Sequence, residues 1–171
     1  EFQDRANKIK RVYNGFDSDD FQFLKLVKSK KFNLSYVGNL KPSQNPDSLW
    51  KAVAELKSEI KDFNKTFVIN FIGNVDSSIL NSIEDYNIQD IVTITGFVSH
   101  QEATRLMQNS NQLLFVVPNV EDNSLIITGK LFEYLASLSP VLSIGPIEGD
   151  ASDILEISNR SKMLDYKDVK G

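Results

Sequence analysis

The chain repeats one unit. A β-branched or aromatic run of five to seven residues is closed by a glycine or proline, and an amphipathic or capped segment follows it. Asn33 to Val37 ends at Gly38, Thr66 to Ile72 at Gly73-Asn74, and Ile91 to Thr95 at Gly96. Gln112 to Val117 ends at Pro118, Pro140 to Ile144 at Gly145-Pro146, and Ser161 to Tyr166 reads as the last such run. Helical segments lie between them. Asn45-Pro46 opens one through Leu49, Val53, Leu56 and Ile60, with Asn45 placed as N-cap and Pro46 as first helical residue. Ser77 to Tyr86, the capping box Ser99-His100-Gln101-Glu102 leading into Ala103, Leu106 and Met107, Thr128 to Leu138, and Asp150 to Ile157 supply the other four. Six strands alternating with five helices predict right-handed crossovers and a parallel sheet covered on both faces. The fold class is therefore α/β, a Rossmann-like doubly wound parallel sheet of about six strands.

In such sheets ligands sit beyond the carboxyl ends of the strands. The chemistry is thus confined to the loops Gly38 to Asn45, Gly73 to Asp76, Gly96 to Ser99, Pro118 to Gly129 and Gly145 to Asp150. Composition narrows it further. The 171 residues have no cysteine and one histidine, His100, which removes thiolate nucleophiles, Cys-ligated zinc and any multi-histidine metal site. A net charge of −4 without a basic run argues against a nucleic-acid surface. No apolar run approaches the about 20 residues of a membrane helix.

Three loops carry candidate residues. Gly38-Asn39-Leu40-Lys41 leads from a strand towards a capped helix, an arrangement that presents free N–H groups and positive dipole to an anion, with Lys41 as an added charge. It lacks both the dinucleotide and the Walker glycine patterns, and an ordinary turn is the alternative. Asn119 to Ser124 is long for a strand-to-helix loop, where about 2 to 6 residues are usual. It runs into Thr128, placed as helix cap, then Gly129, Lys130 and Glu133, the last two on one helix face. A cation at a helix N-terminus is electrostatically misplaced unless an anion offsets it. The alternative is a plain Lys130–Glu133 salt bridge. In Gly96-Phe97-Val98 the backbone could read the edge of a planar base, while Phe97 is expected in the core and His100 at the surface; Asp150 and Asp153 are expected to cap the helix after Gly149.

Joined, these segments resemble the C-terminal, donor-binding domain of GT-B fold glycosyltransferases of the retaining family often called family 4 or group 1. Val12-Tyr13-Asn14-Gly15-Phe16-Asp17 is similar to the family's lead into this domain, and Tyr36-Val37-Gly38-Asn39-Leu40 with Asn45-Pro46 to its first strand-helix unit. Phe71-Ile72-Gly73 and Ile94-Thr95-Gly96-Phe97-Val98 are similar to its next two strand ends. Gly129-Lys130-Leu131-Phe132-Glu133-Tyr134-Leu135-Ala136 followed by Ser139-Pro140-Val141-Leu142 resembles the signature of members that build surface polysaccharides. The resemblance implies that Glu133 accepts the ribose hydroxyls, that Gly129 and Lys130 hold the diphosphate with Gly38, Asn39 and Lys41 opposite, and that the Val98 backbone meets the base. Where the family has its first glutamate this chain has Leu125, with Glu121 and Asp122 as the nearby carboxylates for the donor sugar; Gln44 stands where an arginine is common.

The implied protein is a hexosyl-type glycosyltransferase taking a nucleotide-diphosphate sugar, without metal or other cofactor. Its acceptor, a glycan or lipid-linked glycan, would bind a missing N-terminal domain, for which residues 1–30 are the lead-in and 31–171 the donor domain. No initiator Met is present, and the length reads as a cut at a domain border. The expected location is cytoplasmic, peripheral to the inner membrane face through the other domain, with no nucleic-acid partner and the isolated domain inactive. The competing readings are a nucleotide-sugar epimerase of the same fold and a non-catalytic flavodoxin- or receiver-like module.

Overall fold

A computed structural model describes residues 12, 14–21 and 29–170. Its six strands are β1 (Phe32–Val37), β2 (Phe67–Ile72), β3 (Val92–Gly96), β4 (Gln112–Val116), β5 (Val141–Ile144) and β6 (Met163–Leu164). All pair in parallel, in the order β3-β2-β1-β4-β5-β6. The helices are α1 (Asp47–Glu59), the single turn α2 (Phe63–Thr66), α3 (Ser77–Asp85), α4 (His100–Gln108), α5 (Gly129–Ala136) and α6 (Asp150–Ile157). The alternation of β-branched runs and capped segments thus delivers the doubly wound sheet it predicts. Among the described residues no helix is long and apolar enough to cross a membrane.

Period-two burial divides the strands between two cores. Leu34 and Tyr36 of β1 meet Trp50 and Val53 of α1 and Ile79 and Ile83 of α3 on one face. Val37, Leu113 and Phe115 meet Met107 of α4, Leu131 and Tyr134 of α5 and Leu155 of α6 on the other. Phe21, in the 3-10 turn Ser18–Phe21, joins this second cluster.

Several local expectations change for identifiable reasons. Asn45 does not cap α1. Its Oδ1 accepts from Trp50 Nε1 at 2.7 Å and its Nδ2 donates to Ser82 Oγ at 2.8 Å, so Pro46 becomes the N-cap and its carbonyl receives the first helical N–H. Ser99 caps α4 through the Glu102 N–H, but the Glu102 carboxylate turns to Arg105 and leaves the box half made. Thr128 precedes α5 without a side-chain cap bond, and Gly149, not Asp150 or Asp153, is the N-cap of α6. Phe97 is not in the core. It follows the last β3 residue, where the chain leaves the sheet, and is 80% exposed.

The strand order reverses between β1 and β4, and there the sheet comes apart. The two strands are in register only at Leu34↔Gln112 and Ser35↔Leu113. Beyond these, side chains and loops replace the ladder: Val37 N–H donates to Tyr134 Oη at 2.9 Å, Gln44 Nε2 donates to Val116 O at 2.8 Å, and Asn119 N–H donates to Ser43 O at 2.6 Å. Gln44 is accordingly a buried strut across the opening. Because Tyr134 is fully buried, Tyr134→Phe strands the Val37 N–H and is expected to cost about 1–3 kcal/mol. Urea denaturation checks this, and an unchanged midpoint would mean that the N–H finds another acceptor.

Candidate functional site

The crevice at this reversal is where an open α/β sheet receives a ligand. Its wall is built from three glycine-ended strands and the start of α5. Gly38 has φ +114°, and its N–H donates to Ile72 O at 2.7 Å. Gly73 has φ +118° and lies so close that a Cβ there would stand 2.5 Å from Gly38 O. Its own N–H donates to Gly96 O at 2.7 Å. The ends of β1, β2 and β3 are thus locked side by side.

Lys130 reaches this wall from α5. A Cβ on Gly38 would stand 2.9 Å from Lys130 Nζ, so any other residue there would make the ammonium shift. The same Nζ lies over the Tyr36 ring, 3.6 Å from its centroid. The alternative of a plain Lys130–Glu133 pair is therefore not what holds this side chain. Burial, only partly offset by the charge of Glu133, lowers the Lys130 ammonium to about 7. The positive end of the α5 dipole works in the same direction. Here a cation has been taken out of water beside N–H groups of its own sign: among the described residues, the N–H groups of Gly129 and Lys130 donate to no backbone carbonyl. Thr128 Oγ1, one residue earlier, is buried without a hydrogen-bond partner. An anion at this point would relieve all three.

Glu133 stands one turn along α5, partly buried, with its carboxylate close enough to contribute to a raised His100 pKa. The larger cause of that rise is the hydrogen bond between His100 Nε2 and Asp20 Oδ2, 2.8 Å long. Val98 is partly buried against the second core. Asn39 is exposed, and its carbonyl accepts the Tyr36 hydroxyl at 3.0 Å. Burial raises the Tyr36 phenol. Lys41 is exposed, its N–H donating to Gln44 Oε1 at 3.4 Å. Glu121 and Asp122 are exposed on the loop between β4 and α5, Asp122 with φ +54°. That loop is tied down by Asn123, whose Nδ2 donates to Pro118 O at 3.1 Å and Tyr166 Oη at 3.0 Å.

The structure therefore joins Gly38, Gly129 and Lys130, sets Glu133 beside them, and leaves Lys41, Glu121 and Asp122 on the rim. Two contributors escape sequence reasoning. Tyr36 enters the sequence reading only as part of the first strand-helix motif, and its ring turns out to be the bed for Lys130. Asn14 enters only as part of the lead-in motif, and its Nδ2 lies 3.3 Å from where a Gly129 Cβ would be.

The family model described as glycosyl transferases group 1 matches residues 17–136, most of the chain and nearly all of this wall. The chain belongs to the group 1 glycosyltransferases. Several solved structures share its fold. HepE from Anabaena, crystallised with UDP and glucose, is 16% identical over 88% of this chain and 41% of that one, with a TM-score of 0.60. Sucrose-phosphate synthase from Thermosynechococcus elongatus gives 17%, 91%, 39% and 0.67 by the same measures. A UDP-forming α,α-trehalose-phosphate synthase from Burkholderia vietnamiensis gives 12%, 82%, 34% and 0.61. The chain spans about two fifths or less of each. No curated protein matches the sequence.

Proposed function

We propose that this group 1 glycosyltransferase chain binds the nucleotide-diphosphate sugar, with the diphosphate on the start of α5 and the ribose on Glu133. The observation that carries the reading is Lys130, whose ammonium lies over the Tyr36 ring against a bare glycine, at a helix N-terminus whose first N–H groups are open. Membership of a family of sugar transferases supports a nucleoside diphosphate as the anion, and the UDP held by Anabaena HepE is in keeping with it.

The chemistry needed is modest. Cleavage of the sugar–phosphate bond leaves a diphosphate with growing negative charge, and donors already in place stabilise that charge without reorganising. The N–H groups of Gly129 and Lys130 and the Lys130 ammonium are such donors; Lys41 lies on the facing loop. The ribose hydroxyls donate to Glu133, the backbone at Val98 meets the base, and Glu121 and Asp122 face the sugar from the rim. The full polypeptide would transfer a hexose in surface polysaccharide or other glycan synthesis, on the cytoplasmic side, without a metal or other cofactor. The acceptor glycan or lipid-linked glycan would be bound by a further domain, without which this one is inactive.

A nucleotide titration tests the reading. UDP or GDP is expected to shift the amide signals of Gly129, Lys130 and Val98 and to raise the Lys130 pKa, because a diphosphate favours the charged ammonium. Binding then takes up a proton. Affinity is expected to fall as pH rises above about 7, by up to about tenfold per pH unit until the bound-state pKa is reached. Shifts confined to the opposite sheet edge, or pH-independent affinity, would overturn it.

A further inference from the structure

Asn14 sits outside the sheet, in the segment that precedes the first strand, yet its carboxamide lies beside the first residue of α5. Its orientation is set locally. Oδ1 accepts the Gly15 N–H at 3.0 Å, which identifies the other terminal atom as the NH2 group. That Nδ2 lies 3.3 Å from the Cβ position of Gly129, and it has no hydrogen-bond acceptor among the described residues. The segment around it is held by tertiary contacts. Phe16 packs edge-on to Phe21 with centroids 5.9 Å apart, Phe21 is buried in the second core, and the neighbouring Asp20 pairs with His100 of α4. The amide is thus delivered to the start of α5 by a strap anchored on α4.

We infer that Asn14 is a donor-binding residue: its NH2 group donates a hydrogen bond to a phosphate oxygen of the nucleoside diphosphate seated on Gly129 and Lys130. The inference rests on the reading of the α5 start as the diphosphate site and adds a ligand to it from outside the domain's sheet. It also bears on Gly129 in packing terms: a Cβ there would crowd the Asn14 amide at 3.3 Å and shift it by a few tenths of an ångström.

The chemistry specifies how substitution acts. A neutral amide donating to a phosphate makes a charge-assisted hydrogen bond, and its removal costs affinity for the diphosphate but none for the nucleoside. Asn14→Ala in the full-length protein is expected to weaken UDP or GDP binding about tenfold or more, while uridine or guanosine binds as in the wild type. Asn14→Asp, nearly identical in shape but repelling the phosphate, is expected to weaken the diphosphate more than alanine does. Because Asn14 is exposed, neither variant should lower the melting temperature of the ligand-free protein. Calorimetry with the four ligands on wild type and both variants separates the outcomes. Wild-type protein that binds neither diphosphate overturns the donor-site reading itself. Wild-type protein that binds while Asn14→Ala binds the diphosphate equally well, or loses nucleoside and diphosphate in parallel, overturns the role of Asn14 alone.

Discussion

Gly73→Ala is expected to destabilise the chain by about 4 kcal/mol, although it adds one methyl group at the edge of a site. Two costs coincide. At φ +118° an L side chain is strained, a term of about 1–3 kcal/mol. The new Cβ would also lie 2.5 Å from the carbonyl oxygen of Gly38, a backbone atom that cannot swing away, and such overpacking costs about 1–3 kcal/mol. The same displacement moves Gly38 off the Lys130 ammonium, so nucleotide affinity is expected to fall together with stability. Chemical denaturation and a UDP titration of the same variant check both. A loss below about 1 kcal/mol would show that the Gly38 peptide can turn aside without disturbing the crevice.

Trp50→Ala is the larger core substitution, with an expected loss of about 3–5 kcal/mol. Trp50 is fully buried on α1, crosses Phe71 edge-to-face with centroids 6.1 Å apart, and donates its indole N–H to Asn45 Oδ1. Alanine would leave a cavity beneath β1 and β2 and free the Asn45 side chain that fixes the start of α1. Trp50→Phe should recover part of the loss, because it keeps most of the aromatic volume while giving up the hydrogen bond and the second ring. Equal losses in the two variants would instead place the energy in the Asn45 bond rather than in packing. Thermal and urea denaturation measure the difference.

The fold was legible because it rests on a period and on punctuation. Runs such as Phe67–Ile72 and Gln112–Val116 are apolar and β-branched or aromatic, and glycine or proline marks the point where each leaves the sheet. What could not be read were side-chain hydrogen bonds across long sequence separations. Asn45 looks like an N-cap from its neighbours, but the Trp50 indole and Ser82 claim it, which no local rule foresees. Phe97 looks like core from its hydrophobicity, yet one residue past the β3 register it faces solvent. At the site, the helix start at Gly129 and Lys130 stood out in the sequence as a candidate anion site because the oddity of a cation on a positive helix end is visible there. Its second half was not. That Gly38 and the Tyr36 ring receive the ammonium, and that Asn14 flanks Gly129, depends on how β1, α5 and the preceding segment meet in space.

Phe21 lies in the second core while the first strand begins at Phe32, so the packing unit and the sheet do not share a border. Anyone exchanging this module between related transferases to change which sugar is carried would naturally cut near β1. Such a graft would put a foreign strap against α4 and α5, with a mismatched plug in the Phe21 slot. Chimeras joined ahead of Asn14 should keep both the second core and the residues that flank the start of α5.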